Sequence, residues 1–258
     1  MLLHSEGVNL ELMISLFRRI RKSLLAENRV SRYLIYATGE IVLVVIGILI
    51  ALSINNWNQS RIDSKHLQRI YRTIQTNLKT DTLNVSSVIE FHERIDKVID
   101  RQLNGELTEE FITSMDSIKY RSCLICQSMI TSYDSFVPQQ KGKSLLESFA
   151  NKNESASEAL SDKIMTFYAI QIPQIEANLE RLDQLVMKNL DEFEEKAWYA
   201  DLASGRLNHD ALYYFKDNPA YKNKAVTFKL ISGRNYLRDL SDYKTEATEL
   251  LKELESEL

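Results

Sequence analysis

Residues 33–54 read YLIYATGEIVLVVIGILIALSI, one hydrophobic span with a single charge in it, Glu40. A helix rises about 1.5 Å per residue, so a span of this length covers about 33 Å, the thickness of a hydrocarbon core. The uncharged run 41–52 alone would cover only about 18 Å. The membrane must therefore also take in Tyr33 to Ala37, which carries Glu40 into the hydrocarbon. A soluble helix would usually interrupt an apolar run of this length with polar residues. No later stretch is comparable, so the expectation is a chain anchored once, near its N-terminus, with residues 55–258 on one side of the membrane.

Flanking cations set the expected orientation. Arg18, Arg19, Arg21, Lys22, Arg29 and Arg32 precede the span, against Glu6, Glu11 and Glu27. The first residues beyond it, Asn55, Asn56, Trp57, Asn58 and Gln59, are uncharged, and Trp57 suits a membrane interface. The positive-inside rule then puts residues 1–32 in the cytoplasm and 55–258 in the periplasm of a bacterial inner membrane. A cleaved signal peptide is the rival reading. The apolar region is longer than a usual signal core, and Ala51-Leu52-Ser53 is its only small-residue site. Within the tail, Leu10, Met13, Phe17, Ile20 and Leu24 recur at helical spacing among the cations. That pattern predicts a basic amphipathic helix over 10–25 lying on anionic headgroups.

The chain carries a net charge of −4, and the part beyond residue 54 carries −6. A mildly acidic surface argues against nucleic acid as a partner. Seven Gly and three Pro in 258 residues favour long helices over a β-rich fold. Leu67, Ile70, Ile74 and Leu78 continue a helical stripe after the span. Asn84 reads as an N-cap for a helix over 85–103 with Val85, Val88, His92, Ile95, Ile99 and Leu103 on one face, ended by Asn104-Gly105. Thr108 opens a short helix. Residues 131–144 (TSYDSFVPQQKGKS) are the clearest loop. A long helical stretch follows over about 155–200, with Pro173 expected to kink or break it and Ser204-Gly205 to close it. A last helix is expected over 219–256, opening at Asn218-Pro219, with the seam Leu240, Tyr243, Ala247, Leu250 and Leu254. The predicted fold is therefore all-α: an N-terminal amphipathic helix, one transmembrane helix, then an antiparallel helical bundle.

Residues 17–58 resemble a family of small single-pass membrane proteins of the Bacteroidota known as a domain of unknown function. The resemblance is carried by Phe17-Arg18, Glu27-Asn28, Tyr33, Tyr36-Ala37, Gly39-Glu40-Ile41, the run Gly47 to Leu52, and Asn55-Asn56-Trp57-Asn58. Gly142, Asn151 and Phe167-Tyr168 look like counterparts of a later Gly turn, Asn and paired tyrosines, with Phe in place of one Tyr. Members begin near the position of Met13. The resemblance implies an inner membrane and a periplasmic helical domain, and it implies no activity.

Several features are candidates for function. Ala37, Glu40, Val44, Gly47 and Ala51 share one stripe of the span, with Ile54 and Asn58 continuing it. Gly47 and Ala51 form a small-xxx-small pair, and a carboxylate in lipid favours a protein neighbour, so the stripe is expected to pack against a second copy or another membrane protein. Simple anchoring, with Glu40 paired to Arg32, is the plainer reading, and an ion-coupling role for Glu40 a third. Cys123 and Cys126 form the only C-x-x-C. A redox or metal role lacks its usual surroundings, so two buried cysteines or an adventitious disulfide are expected. His92 reads as structural, and no metal or cofactor motif is present. Tyr133, Phe136, Lys141 and Lys143 form a candidate partner loop, with a core-plugging loop the alternative. Tyr213, Tyr214, Phe215 and Tyr221 read as packing at a turn between helices. The leading expectation is a non-enzymatic scaffold, accessory subunit or sensor-like interaction module. Two other expectations are weighed against it: a subunit of an ion-coupled complex using Glu40, and a membrane-tethered enzyme supported only by the C-x-x-C.

Overall fold

The computed structural model describes residues 18, 19, 22, 30–152 and 159–258. Within these the chain is all-helical. Arg18, Arg19 and Lys22 are helical and exposed. The rest of the expected amphipathic helix, Arg21 included, and Arg29 beyond it lie outside the described residues. The chain divides into two compact units, Met1–Lys65 and His66–Leu258.

The first unit is dominated by the start of α1, which spans Val30–Leu103. Among the described helices it alone is long and apolar enough to cross a membrane. Its apolar side chains from Leu34 to Ile54 stand exposed, which apolar groups tolerate only in a nonaqueous or partner-covered setting. Arg61 lies 5.8 Å from the Trp57 ring on the same helix.

The second unit holds the core. After α1 come α2 (Glu109–Thr113), α3 (Ser117–Arg121), a 3-10 turn (Leu124–Cys126), α4 (Lys141–Ala150) and α5 (Ala159–Glu194). Then follow α6 (Tyr199–Ala203), α7 (His209–Asp217), α8 (Pro219–Lys229), a π-helical segment (Leu230–Tyr236) and α9 (Leu237–Glu257). Side chains fix the order of the long helices. Lys79 pairs with Glu255 at 3.1 Å, Asp81 with Tyr243 at 2.8 Å, and Asp96 with Lys229 at 3.1 Å. Partners of α1 thus run in reverse order along α8 and α9. Contacts of α5 show the same reversal: Lys163 with Glu253, Asn178 with Asp239, Glu192 with Lys224. The Tyr71 hydroxyl meets Ser161 at 2.9 Å, near the start of α5.

Local chemistry explains most boundaries. Thr108, Asp116 and Asn218 each accept hydrogen bonds from the first backbone N–H groups of α2, α3 and α8, and Pro219 follows Asn218 at the first turn. Gly105 ends α1 at φ 80°, with the Glu106 N–H reaching back to the Arg101 carbonyl at 3.1 Å. Four expectations are corrected. Asn84 caps nothing, because α1 passes through it unbroken with Val85 and Val88 buried on the same face as Leu78. Pro173 does not break α5. Its missing N–H removes one bond, while Ile172 and Ile175 on either side stay buried and hold the helix in place. The stretch expected as helix up to residue 200 ends at Glu194, and Ser204-Gly205 closes the separate α6. The last helix carries a π-helical segment in mid-course.

Candidate functional site

Among the described residues, ten buried polar ones lie in the second unit, including Asn77, Asp81, His92 and Gln102 on α1. A buried polar group without a partner costs about 1–3 kcal/mol, so each one needs an explanation. These four have a common one: they hold the backbone of a single extended segment, residues 125–142. Asn77 Oδ1 accepts from the Gly142 N–H at 2.9 Å. The Asp81 carboxylate accepts from the Gln139 N–H at 3.0 and 3.2 Å. His92 Nε2 lies 2.8 Å from the Asp134 carbonyl. Gln102 Nε2 donates to the carbonyls of Ile125 and Gln127 at 2.7 and 3.0 Å. The segment is a strap laid along α1 in the opposite sense, over about 38 Å of helix from residue 77 to residue 102.

Other helices complete the grip. The Tyr236 hydroxyl accepts from the Phe136 N–H at 2.8 Å, and Asn189 Nδ2 donates to the Ile130 carbonyl at 2.9 Å. The Phe136 ring, 2 % exposed, lies edge-on to Tyr243 with ring centres 4.9 Å apart. Tyr133 donates its hydroxyl to Asp183 at 2.8 Å. Gly142 sits so close to α1 that a side chain there would overlap Ile74.

The electrostatics follow from burial. Desolvation pushes the Asp81 carboxyl above its ordinary range, against the hydrogen bonds from Tyr243 and Gln139 that lower it. Burial lowers the His92 pKa, with the Asp134 carbonyl opposing. A carbonyl can only accept, so Nε2 carries the proton, and Nδ1 accepts from the Ser232 hydroxyl at 2.7 Å. His92 is thus a neutral bridge from α1 to the strap on one side and to the π-helical segment on the other. Burial and the neighbouring Asp81 raise the Tyr243 hydroxyl as well.

The candidate partner loop is anchored by a few inward side chains, while Ser132, Asp134, Ser135, Val137 and Gln140 stand exposed. Phe136 and Pro138 are buried and Tyr133 is half-buried, while Lys141 and Lys143 stand on α4 and belong to no loop, with Lys143 3.5 Å from Glu147. Phe136 and Pro138 thus plug the core, through apolar burial of the Phe136 ring, and the exposed residues between and beside them face outward. In the first unit, Glu40, Val44, Gly47 and Ala51 are exposed and Ala37 is half-buried. Nothing lies within 4 Å of a Cβ built on Gly47. Cys123 and Cys126 are joined as a disulfide. Phe193, Trp198, Tyr214, Phe215 and Tyr221 form one aromatic cluster, as expected for packing. Among the described residues no group of acids, histidines and cysteines could hold a metal.

Sequence reasoning missed the polar ladder, although a signal was present. Leu67, Tyr71, Ile74, Leu78, Asp81, Val85, Val88, His92, Ile95, Ile99 and Gln102 follow an unbroken 4-3 spacing, and all are buried. Asp81, His92 and Gln102 occupy seam positions where an apolar residue is the norm, and a polar residue there specifies register at a cost in stability.

The fold and these features define an all-helical chain with one helix long and apolar enough to cross a membrane. Residues 40–136 match the model of a family of unknown function (DUF6090). No curated protein and no solved structure is similar enough to match.

Proposed function

We propose that this chain is a single-pass inner-membrane protein whose helical unit is exported, acting as a non-enzymatic scaffold, accessory subunit or sensor-like interaction module. One observation carries the reading: α1 is largely apolar and exposed over its first part, with Glu40 the charge within the span, and its later part carries the seam with buried Asp81, His92 and Gln102 that organises the second unit. Five buried polar residues of that unit, Asn77, Asp81, His92, Gln102 and Asn189, grip the strap, which supports a structural over a catalytic role. The reversed partner order of α8 and α9 against α1 and α5 supports an antiparallel bundle. Exposed Arg18, Arg19 and Lys22 support a cytoplasmic basic helix on the lipid surface.

Orientation has two supports of unequal weight. Within about 20 residues of the span, six cations precede it and four follow, Arg61, Lys65, Arg69 and Arg72. That margin is narrow. The disulfide is the stronger argument, because such bonds persist in exported proteins and are rare in the cytosol. A phosphatase fused after Leu258 should be active, and a fusion before Leu10 inactive; the reverse pattern would defeat the orientation.

Within the membrane, Glu40, Gly47 and Ala51 are the proposed contact with a second copy or another span. Extraction in mild detergent, with mass by light scattering, should give a stoichiometric complex. Gly47→Ile should dissolve it and Glu40→Gln should leave it assembled. A monomer in every mild detergent would refute the contact. An assembled Glu40→Gln complex that has lost function would favour ion coupling.

A further inference from the structure

The C-x-x-C pair bears on orientation in this reading but is given no role of its own. The joined Cys123 and Cys126 flank the 3-10 turn from which the strap departs. The two residues differ in access, since Cys126 is wholly buried and Cys123 is half-buried against the core. The carbonyls of Ile125 and Gln127, on either side of Cys126, both accept from Gln102. Gln102 is itself buried, and its Oε1 accepts from the Tyr221 hydroxyl at 2.7 Å. The turn closed by the disulfide is thus the turn that ties this end of the strap to α1 and, through Tyr221, to α8.

We propose that the Cys123–Cys126 bond is an exchange site for an exported dithiol protein, and that its redox state sets whether this end of the strap is fastened. A carrier thiolate attacks Sγ of Cys123, the less buried residue. The S–S bond breaks, and Cys126 Sγ leaves with the electron pair and takes up a proton. The carrier's second thiol loses its proton and attacks its own sulfur in the mixed disulfide, releasing Cys123 as a thiolate that is protonated in turn. The carrier ends oxidised by two electrons and the chain ends as a dithiol. Two unbonded sulfurs cannot remain at bonding distance. The turn, no longer closed by the bond and held only by the Cys126 N–H to the Cys123 carbonyl at 3.1 Å, is then free to widen. Widening displaces the two carbonyls that Gln102 holds, and its buried amide then loses its acceptors.

The chain is the target of this chemistry and not its catalyst. A catalytic C-x-x-C exposes a thiol acidified by a helix N-terminus or a nearby cation. Here the turn is three residues long and the partner sulfur lies in the apolar core. The proposal rests on the exported placement, since a reducing compartment would keep both thiols.

The test uses the purified full-length chain in detergent, isolated under alkylating conditions, with dithiothreitol as the probe. Mass should show both cysteines protected before reduction and both alkylated after it. Amide exchange over residues 125–130 should rise at least tenfold on reduction and recover on reoxidation, with α5 unchanged. Cys123→Ser combined with Cys126→Ser should reproduce the reduced pattern. Two free thiols in the protein as isolated, a bond reducible only by unfolding, or identical exchange in both states would each overturn the proposal. The phosphatase fusions report separately on export, so failure of that reading is distinguishable from failure of this one.

Discussion

Gly142→Ala tests most directly how tightly the strap's far end is seated. A Cβ at this position would lie 2.6 Å from Ile74 Cγ1, 3.0 Å from Asn77 Oδ1 and 3.0 Å from Ile74 Cα. The last contact is with backbone, so no rotamer change relieves it and α4 must back away from α1. That movement stretches the hydrogen bond from the Gly142 N–H to Asn77, now 2.9 Å. Overpacking of this kind costs about 1–3 kcal/mol. Weakening a buried hydrogen bond adds about 1 kcal/mol. The better helix propensity of Ala returns at most about 1 kcal/mol. The net expectation is a loss of about 1–3 kcal/mol. At roughly 2–4 °C per kcal/mol for a unit of this size, Tm should fall by about 2–12 °C. Circular dichroism at 222 nm on the full chain in detergent measures this. Gly47→Ala is the control, because nothing lies within 4 Å of its Cβ. An unchanged or higher Tm for Gly142→Ala would refute the close packing of α4 on α1.

Two further predictions concern the ladder's titratable members. The folded protein holds His92 neutral, so below its ordinary pKa of 6.5 the unfolded chain binds a proton that the folded chain does not. Stability should therefore fall as pH drops from 6.5 toward the lowered folded value, by up to about 1.4 kcal/mol per pH unit, and His92→Gln should flatten that limb in urea titrations at stepped pH. Asp81 has the opposite sign: its raised pKa makes the folded state bind a proton that the unfolded chain releases, so this group favours folding as pH falls through the raised value toward 3.8. Asp81→Asn keeps an acceptor for the Gln139 N–H and the Tyr243 hydroxyl and should stay within about 1 kcal/mol of the native chain at pH 7. Asp81→Leu orphans both donors and should lose about 2 kcal/mol or more. Equal stability of the Asn and Leu variants would show that the carboxylate does not hold the strap.

The parts of this fold that were legible in the sequence are those written in local chemistry. The apolar span, the caps at Thr108 and Asn218-Pro219, the Gly105 stop and the α9 seam from Leu240 to Leu254 each depend on a few neighbouring residues. Asn84 misled because an Asn before an apolar stripe is a cap signal only where the chain is not already helical, and the seam on both sides of it keeps α1 continuous. Pro173 misled for a related reason, since packing of Ile172 and Ile175 outweighs one lost hydrogen bond. The strap could not be read locally at all. Its partners lie 42 to 65 residues away on α1 for His92–Asp134 and Asn77–Gly142, and 100 residues away for Phe136–Tyr236. Only the polar residues at seam positions hinted that something polar ran alongside.

The extent of the family match sharpens what the ladder is for. The matched stretch, 40–136, begins inside the apolar span and ends at Phe136, the buried ring of the strap. It contains both partners of the Gln102 and His92 contacts with the strap. It excludes Gln139, Gly142, Asn189 and Tyr236, which supply the remaining contacts. The stretch is thus the apolar helix, its polar seam and the half of the strap that this seam reads, and the helices that close the core over them lie beyond it. In this chain the Cys123–Cys126 bond lies at the start of the matched half of the strap, where Gln102 grips. Asp81 and Asn77 fix the other half through Gln139 and Gly142, so the two ends of the strap can respond separately. Reduction should loosen residues 125–130 while the Gln139 amide, bound to Asp81, keeps its protection. Loss of protection at both ends together would mean that the strap is a single cooperative unit with the core.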